Sequence, residues 1–123
     1  MKFNFTVFGI IPSLKNDMQF NRKTGSVYHK KDGVRKYKQD FAYQVPAEYK
    51  LNIDKPVRVS LNIFKRDNRK EGRNLSGCVY DALQYSGVIK NDRKIVERHE
   101  YDFVSKECPR CEIFVEVLWT LKQ

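Results

Sequence analysis

Asn74-Leu75-Ser76-Gly77-Cys78-Val79-Tyr80-Asp81-Ala82-Leu83-Gln84-Tyr85-Ser86-Gly87-Val88-Ile89-Lys90-Asn91-Asp92 is the stretch on which the fold turns. Leu75, Cys78, Val79, Ala82 and Leu83 recur at helical spacing, and Gly87 stands where a helix commonly ends in left-handed backbone. The spacing predicts an amphipathic helix terminated near Gly87. On its flank, beside the apolar stripe, fall Asn74, Gly77 and Asp81. Asp81 is thereby expected to face a site at the helix start, with the following loop returning Asp92 to it.

Working upstream, Val57, Val59, Leu61 and Ile63 alternate with Arg58, Ser60 and Asn62 after Pro56, the period-2 pattern of a half-buried strand. It runs into the charged loop Lys65-Arg66-Asp67-Asn68-Arg69-Lys70-Glu71-Gly72-Arg73. Before it, Val34, Tyr37, Phe41 and Val45 form another helical stripe, behind an expected Asp32 cap and closed by Pro46. Residues 2–11 alternate as a first strand ended by Pro12-Ser13. Between them, residues 15–31 read as a long loop or small hairpin presenting Lys15, Arg22, Lys23, Lys30 and Lys31. Downstream, residues 94–103 and 111–121 are rich in Ile, Val, Phe and Trp, and the intervening 105–110 suits a turn. The expected architecture is α/β (α+β), one small domain over residues 1–123 with a mixed sheet in the order β-α-β-α-β-β.

Composition narrows the partner. Twenty-four Lys and Arg against 15 Asp and Glu give a formal charge of +9, which favours a polyanion because phosphate neutralisation releases condensed counterions. No stretch approaches the ~18 apolar residues of a membrane span, and the alternating N-terminus is not a secretory h-region. A cytoplasmic protein without a membrane partner is expected. Three cysteines cannot all pair with one another, and Cys108-Pro-Arg-Cys111 lacks nearby fellow ligands, so it reads as a turn rather than a zinc site. Tyr28, Tyr37, Tyr43, Tyr49, Tyr80 and Tyr85 sit among basic residues; they suit either core packing or stacking on unpaired bases.

With Asn74-Leu75, Asp81-Ala82-Leu83, Gly87 and Asn91-Asp92 in this order, and Pro12-Ser13 after the first strand, the sequence resembles the RusA family of Holliday-junction resolvases. The family carries Asp-x-Asp-Asn-Leu-x-Lys at a strand-to-helix corner, then Asp-Ala-Leu, a Gly and an Asp-Asp pair. The resemblance runs along nearly the whole chain, and its specific part spans about 20 residues. It implies a homodimer acting on branched DNA in recombination and repair, with Mg²⁺ and no small-molecule cofactor. Hard carboxylate oxygens suit Mg²⁺, which activates water and screens the transferring phosphate.

Residue by residue, the family's first metal-binding Asp falls on Glu71, its second on Arg73, its Lys on Gly77 and its later Asp on Asp92. Glu71 keeps a carboxylate, whereas the Arg73 guanidinium repels a metal ion. The resemblance implies Glu71 and Asp92 as metal ligands and Glu71, Asp81, Asp92 and Arg73 as the catalytic set. Lys15, Lys65, Arg66, Arg69, Lys70 and Arg73 are the expected DNA contacts. Metal affinity is expected to fall and phosphate affinity to rise, giving a junction binder with nuclease activity weakened or lost. Two alternatives stand beside it: an active Mg²⁺-dependent junction endonuclease, in which Arg73 stabilises phosphorane-like charge, and a basic RNA- or partner-binding domain of unrelated fold.

Overall fold

Along β4 (Val57–Lys65), Val57, Val59, Leu61 and Ile63 are buried while Arg58, Ser60, Asn62 and Phe64 are half-buried, so the strand has two differently dressed faces. The computed structural model describes residues 1–12, 18–20, 27–29, 31–67 and 75–118. In it β4 is flanked by β5 (Ile95–Val104), parallel, and by β6 (Arg110–Val117), antiparallel. The outer side of β6 pairs antiparallel with β1 (Lys2–Phe8), giving one mixed sheet in the order β1-β6-β4-β5.

Among the described residues, helices cover one face of this sheet. Helices α1 (Lys31–Gln44) and α2 (Leu75–Tyr85) pack on each other and share one apolar cluster with the sheet. The sheet brings Phe3, Phe5 and Val7, then Ile113 and Val115; the helices bring Phe41, Val79 and Leu83. Fully burying such side chains contributes roughly 1.5–3 kcal/mol each. Phe41, without exposed surface, meets Phe5 edge-on at a ring separation of 6.0 Å. Tyr37, Tyr80 and, partly, Tyr49 are core aromatics; Tyr43 and Tyr85 remain exposed.

The expected α+β architecture with a mixed sheet is thus found, with one addition. Residues Met18–Phe20 (β2) and Val27–His29 (β3) pair antiparallel, which resolves the loop-or-hairpin choice in favour of a hairpin. Boundaries also move. β1 stops at Phe8, not residue 11, because Gly9 turns the chain at φ 125° and its N–H donates to the Pro109 carbonyl. α1 begins at Lys31, so Asp32 lies inside the helix instead of capping it. β6 ends at Val117, where Leu118 donates its N–H to the Pro56 carbonyl. Cys108 sits in the turn before β6 and Cys111 within it, the turn reading of the Cys-Pro-Arg-Cys stretch.

A parallel β4–β5 pair requires a crossover, and α2 supplies it. Its C-terminus closes as a Schellman motif: the Val88 N–H donates to the Leu83 carbonyl at 3.1 Å and the Gly87 N–H to Gln84 at 3.2 Å. Gly87 adopts φ 84°, the conformation this closure needs. Val88 and Leu83 are both fully buried, completing the motif with an apolar anchor.

Candidate active site

The residues after α2 are tied down from two sides. Asn52 and Ile53 donate their N–H groups to the carbonyls of Gly87 and Val88, and Lys90 donates to Ile53. This short parallel bridge sets Asp54 beside the turn that follows. A 3₁₀ turn, Asp92–Lys94, is capped by the Asn91 side chain, which accepts the Arg93 N–H at 2.9 Å. Gln84, in the last turn of α2, accepts the Asp92 N–H at 2.9 Å. Asp92 is half-buried; Gln84 holds its backbone N–H, and Asn91 caps the turn that it opens.

Cations flank Asp92 along the chain. Lys90 and Arg93 are exposed and Lys94 half-buried; Asp54 pairs with Lys94 at 3.2 Å and Lys90 at 3.5 Å. A hydrogen bond from Lys94, then the charges of both lysines, hold the Asp54 carboxyl below its ordinary range. Positive charge also complements the negative end of the α2 dipole. Asp81 is exposed three residues before Gln84, on the same flank of α2. Lys90, Arg93 and Lys94 were not singled out from sequence, although they directly flank Asn91-Asp92; their role emerges only once α2 and residues 52–54 converge on the turn.

Asp92 does not return to the start of α2, as the sequence had suggested. With β4 and β5 parallel, α2 must carry the chain back along the sheet, and Asp92 emerges at its far end. Lys65 ends β4 at the opposite side of the sheet and Arg66 and Asp67 follow it; the nine residues of the strand span about 27–30 Å. Lys65 is largely covered and faces Asp102 at 3.9 Å, while Arg66 is exposed and meets Asp67 at 3.9 Å. Gly77 lies in the first turn of α2. Lys15, Arg69, Lys70, Glu71 and Arg73 lie outside the described residues.

Two carboxylates, Asp81 and Asp92, therefore stand toward one end of α2. Carboxylate oxygens are the donors Mg²⁺ takes, and it commonly uses one or two of them together with waters and substrate phosphates. Among the described residues no three metal-type side chains gather, so these residues do not form a closed cation cage. Cys111 is buried and its thiol is pushed up to about 12 by that burial and by Glu112.

These features define a small basic α+β domain that presents carboxylates amid lysines and arginines. The chain belongs to the endodeoxyribonuclease RusA family, whose model matches residues 10–116. A search of curated proteins finds no significant match. The family match sets aside the expectation of an unrelated fold, and no helix among the described residues is long and apolar enough to cross a membrane.

Proposed function

We propose that this chain is a RusA-type protein of the cytoplasm that binds four-way DNA junctions as a homodimer during recombination or repair, with cleavage weakened relative to its family. Membership in an endodeoxyribonuclease family is the observation that carries the reading. The +9 charge supports a DNA partner, and a two-fold dimer matches the two-fold related strands of a junction. Weakening follows from Arg73 and Gly77 where the family has a carboxylate and a lysine.

In this reading Glu71 and Asp92 would hold Mg²⁺, which supplies an activated water and charge screening at the phosphate. Asp81 and Arg73 complete the catalytic set. Phosphate contacts fall to Lys15, Lys65, Arg66, Arg69, Lys70 and Arg73, joined by Lys90 and Arg93 beside Asp92.

A labelled four-way junction titrated with Mg²⁺ or Mn²⁺, read for both mobility shift and cleavage, tests this. A shift at concentrations that leave linear duplex free, with slow cutting, is expected. Equal affinity for duplex of the same length contradicts it. Full retention of an active endonuclease is the second reading, favoured by the doubly anchored Asp92 turn. Rapid metal-dependent cutting that Asp92→Asn abolishes would establish that reading instead.

A further inference from the structure

At one edge of the sheet β5 pairs with β4 on its inner side, and no described strand lies on its outer side. Backbone groups along a strand alternate in direction. The Ser105 N–H, just past β5, donates to the Lys65 carbonyl at 2.7 Å, so Phe103, Tyr101, His99 and Glu97 also turn their backbone groups toward β4. Arg98, Glu100, Asp102 and Val104 turn theirs outward. Each offers one N–H donor and one carbonyl acceptor, unpaired among the described residues.

The same register sets the side chains. Arg98, Glu100 and Asp102 lie opposite Val59, Leu61 and Ile63, on the face that the helices cover. Tyr80 of α2 donates its hydroxyl to Glu100, and the Arg98 guanidinium lies 5.2 Å from the centre of the Tyr80 ring. On the other face Tyr101 and Phe103 are 54% and 46% exposed, and Phe103 stacks on Phe64 at 4.9 Å. The strand is thus held firmly without use of its outer edge.

Its charge runs against that of the chain. Glu97, Glu100 and Asp102 against Arg98 give −2 with His99 neutral, on a chain of +9. The Asp102 side chain is 62% exposed, whereas the Lys65 that faces it at 3.9 Å is 16% exposed, so the edge presents the carboxylate.

We infer that the outer edge of β5 is a docking site for an extended, basic segment of a partner protein, which adds a strand to the sheet. Alternating donors and acceptors at strand spacing are the complement of another peptide backbone. Phosphate oxygens only accept, and exposed carboxylates repel them, so nucleic acid does not suit this edge. Charge commonly blunts an edge strand against indiscriminate pairing. Here that charge is chiefly acidic, which selects a strand that brings Lys or Arg beside Glu100 and Asp102. The alternate residues of that strand then stand beside Tyr101 and Phe103, where apolar side chains pack. Occupancy of this edge requires neither DNA nor metal, and so is independent of the proposed function.

Fluorescence anisotropy with a labelled peptide of alternating Lys and Val, about eight residues long to match the strand, tests the site on the full chain without DNA. Binding is expected although peptide and protein are both cationic, because the local edge is acidic. The amides of Arg98, Glu100, Asp102 and Val104 should gain protection from exchange in the complex. A peptide of alternating Glu and Val should bind at least tenfold more weakly, and so should the Lys-Val peptide to Asp102→Lys. Asp102→Pro removes an outward N–H and no bond to β4, so it should abolish capture while the circular-dichroism melt stays cooperative. A wild type that does not bind the Lys-Val peptide, equal binding of the acidic peptide, or capture indifferent to both Asp102 substitutions overturns the inference. So does a lower particle mass for Asp102→Pro than for wild type in peptide-free sedimentation, which would place a second copy on this edge.

Discussion

The Gln84 side-chain carbonyl accepts the Asp92 backbone N–H at 2.9 Å, so the last turn of the crossover helix dictates where the acidic turn sits. Asp92 is carried by α2 through this bond, and the Asn91 cap holds the turn that it opens.

Replacing Gln84 by Leu leaves the Asp92 amide without its acceptor, a loss of about 0.5–1.5 kcal/mol for a typical intramolecular hydrogen bond. Amide exchange at Asp92 should accelerate while exchange in β4 is unchanged. Gln84→Glu, which retains a side-chain oxygen, should restore protection. Unaltered exchange in Gln84→Leu would show that Asn91 alone holds the turn.

Gly87→Ala tests the helix terminus. A Cβ there meets nothing within 4 Å, so the cost comes from backbone alone, at φ 84°. A loss of roughly 1–2 kcal/mol is expected in urea unfolding. Gly87→Asn should lose less, since Asn tolerates left-handed backbone better.

Asp54→Asn frees Lys90 and Lys94 from their shared carboxylate. Junction affinity should rise, and the dependence of log affinity on log salt should steepen by up to about one unit per added phosphate contact. A slope identical to wild type would mean that neither lysine reaches the DNA.

The Arg58–Glu97–His99 group predicts an acid response. A hydrogen bond from Arg58, and after it one from His99, lowers the Glu97 carboxyl below its ordinary value of 4.5. A depressed folded-state pKa adds stability that is present in full above 4.5 and is lost as the pH falls through the lower folded value. Urea midpoints measured from neutral to acidic pH should therefore decline less steeply for Glu97→Gln than for wild type. Parallel curves would show that the group contributes nothing measurable.

How far the sequence could be read depended on which signals were local. Leu75, Cys78, Val79, Ala82 and Leu83 were legible as a buried stripe, and Val57 to Ile63 as a half-buried strand, because burial on one face imposes a period that neighbouring residues display. The hairpin of Met18–Phe20 and Val27–His29 stayed open between loop and strand because three-residue runs are too short to show a period. Asp92 was recognised as a candidate, yet its location was misjudged: nothing in residues 86–91 states that β5 pairs parallel to β4, and that pairing sends the turn to the far end of α2.

By itself the sequence determined the element types, the core-facing residues, the basic charge and the family, since each is written in residue identity and short-range spacing. Tertiary structure alone decided the strand order β1-β6-β4-β5, the anchoring of Asp92 by Gln84, the Asp54 clamp on Lys90 and Lys94, and the Arg58 bridge between Glu97 and Glu116. Each of these joins residues from different elements; Arg58 meets Glu97 and Glu116 only because three strands align in one register. Such contacts arise from the packing of whole elements, and no local pattern encodes them.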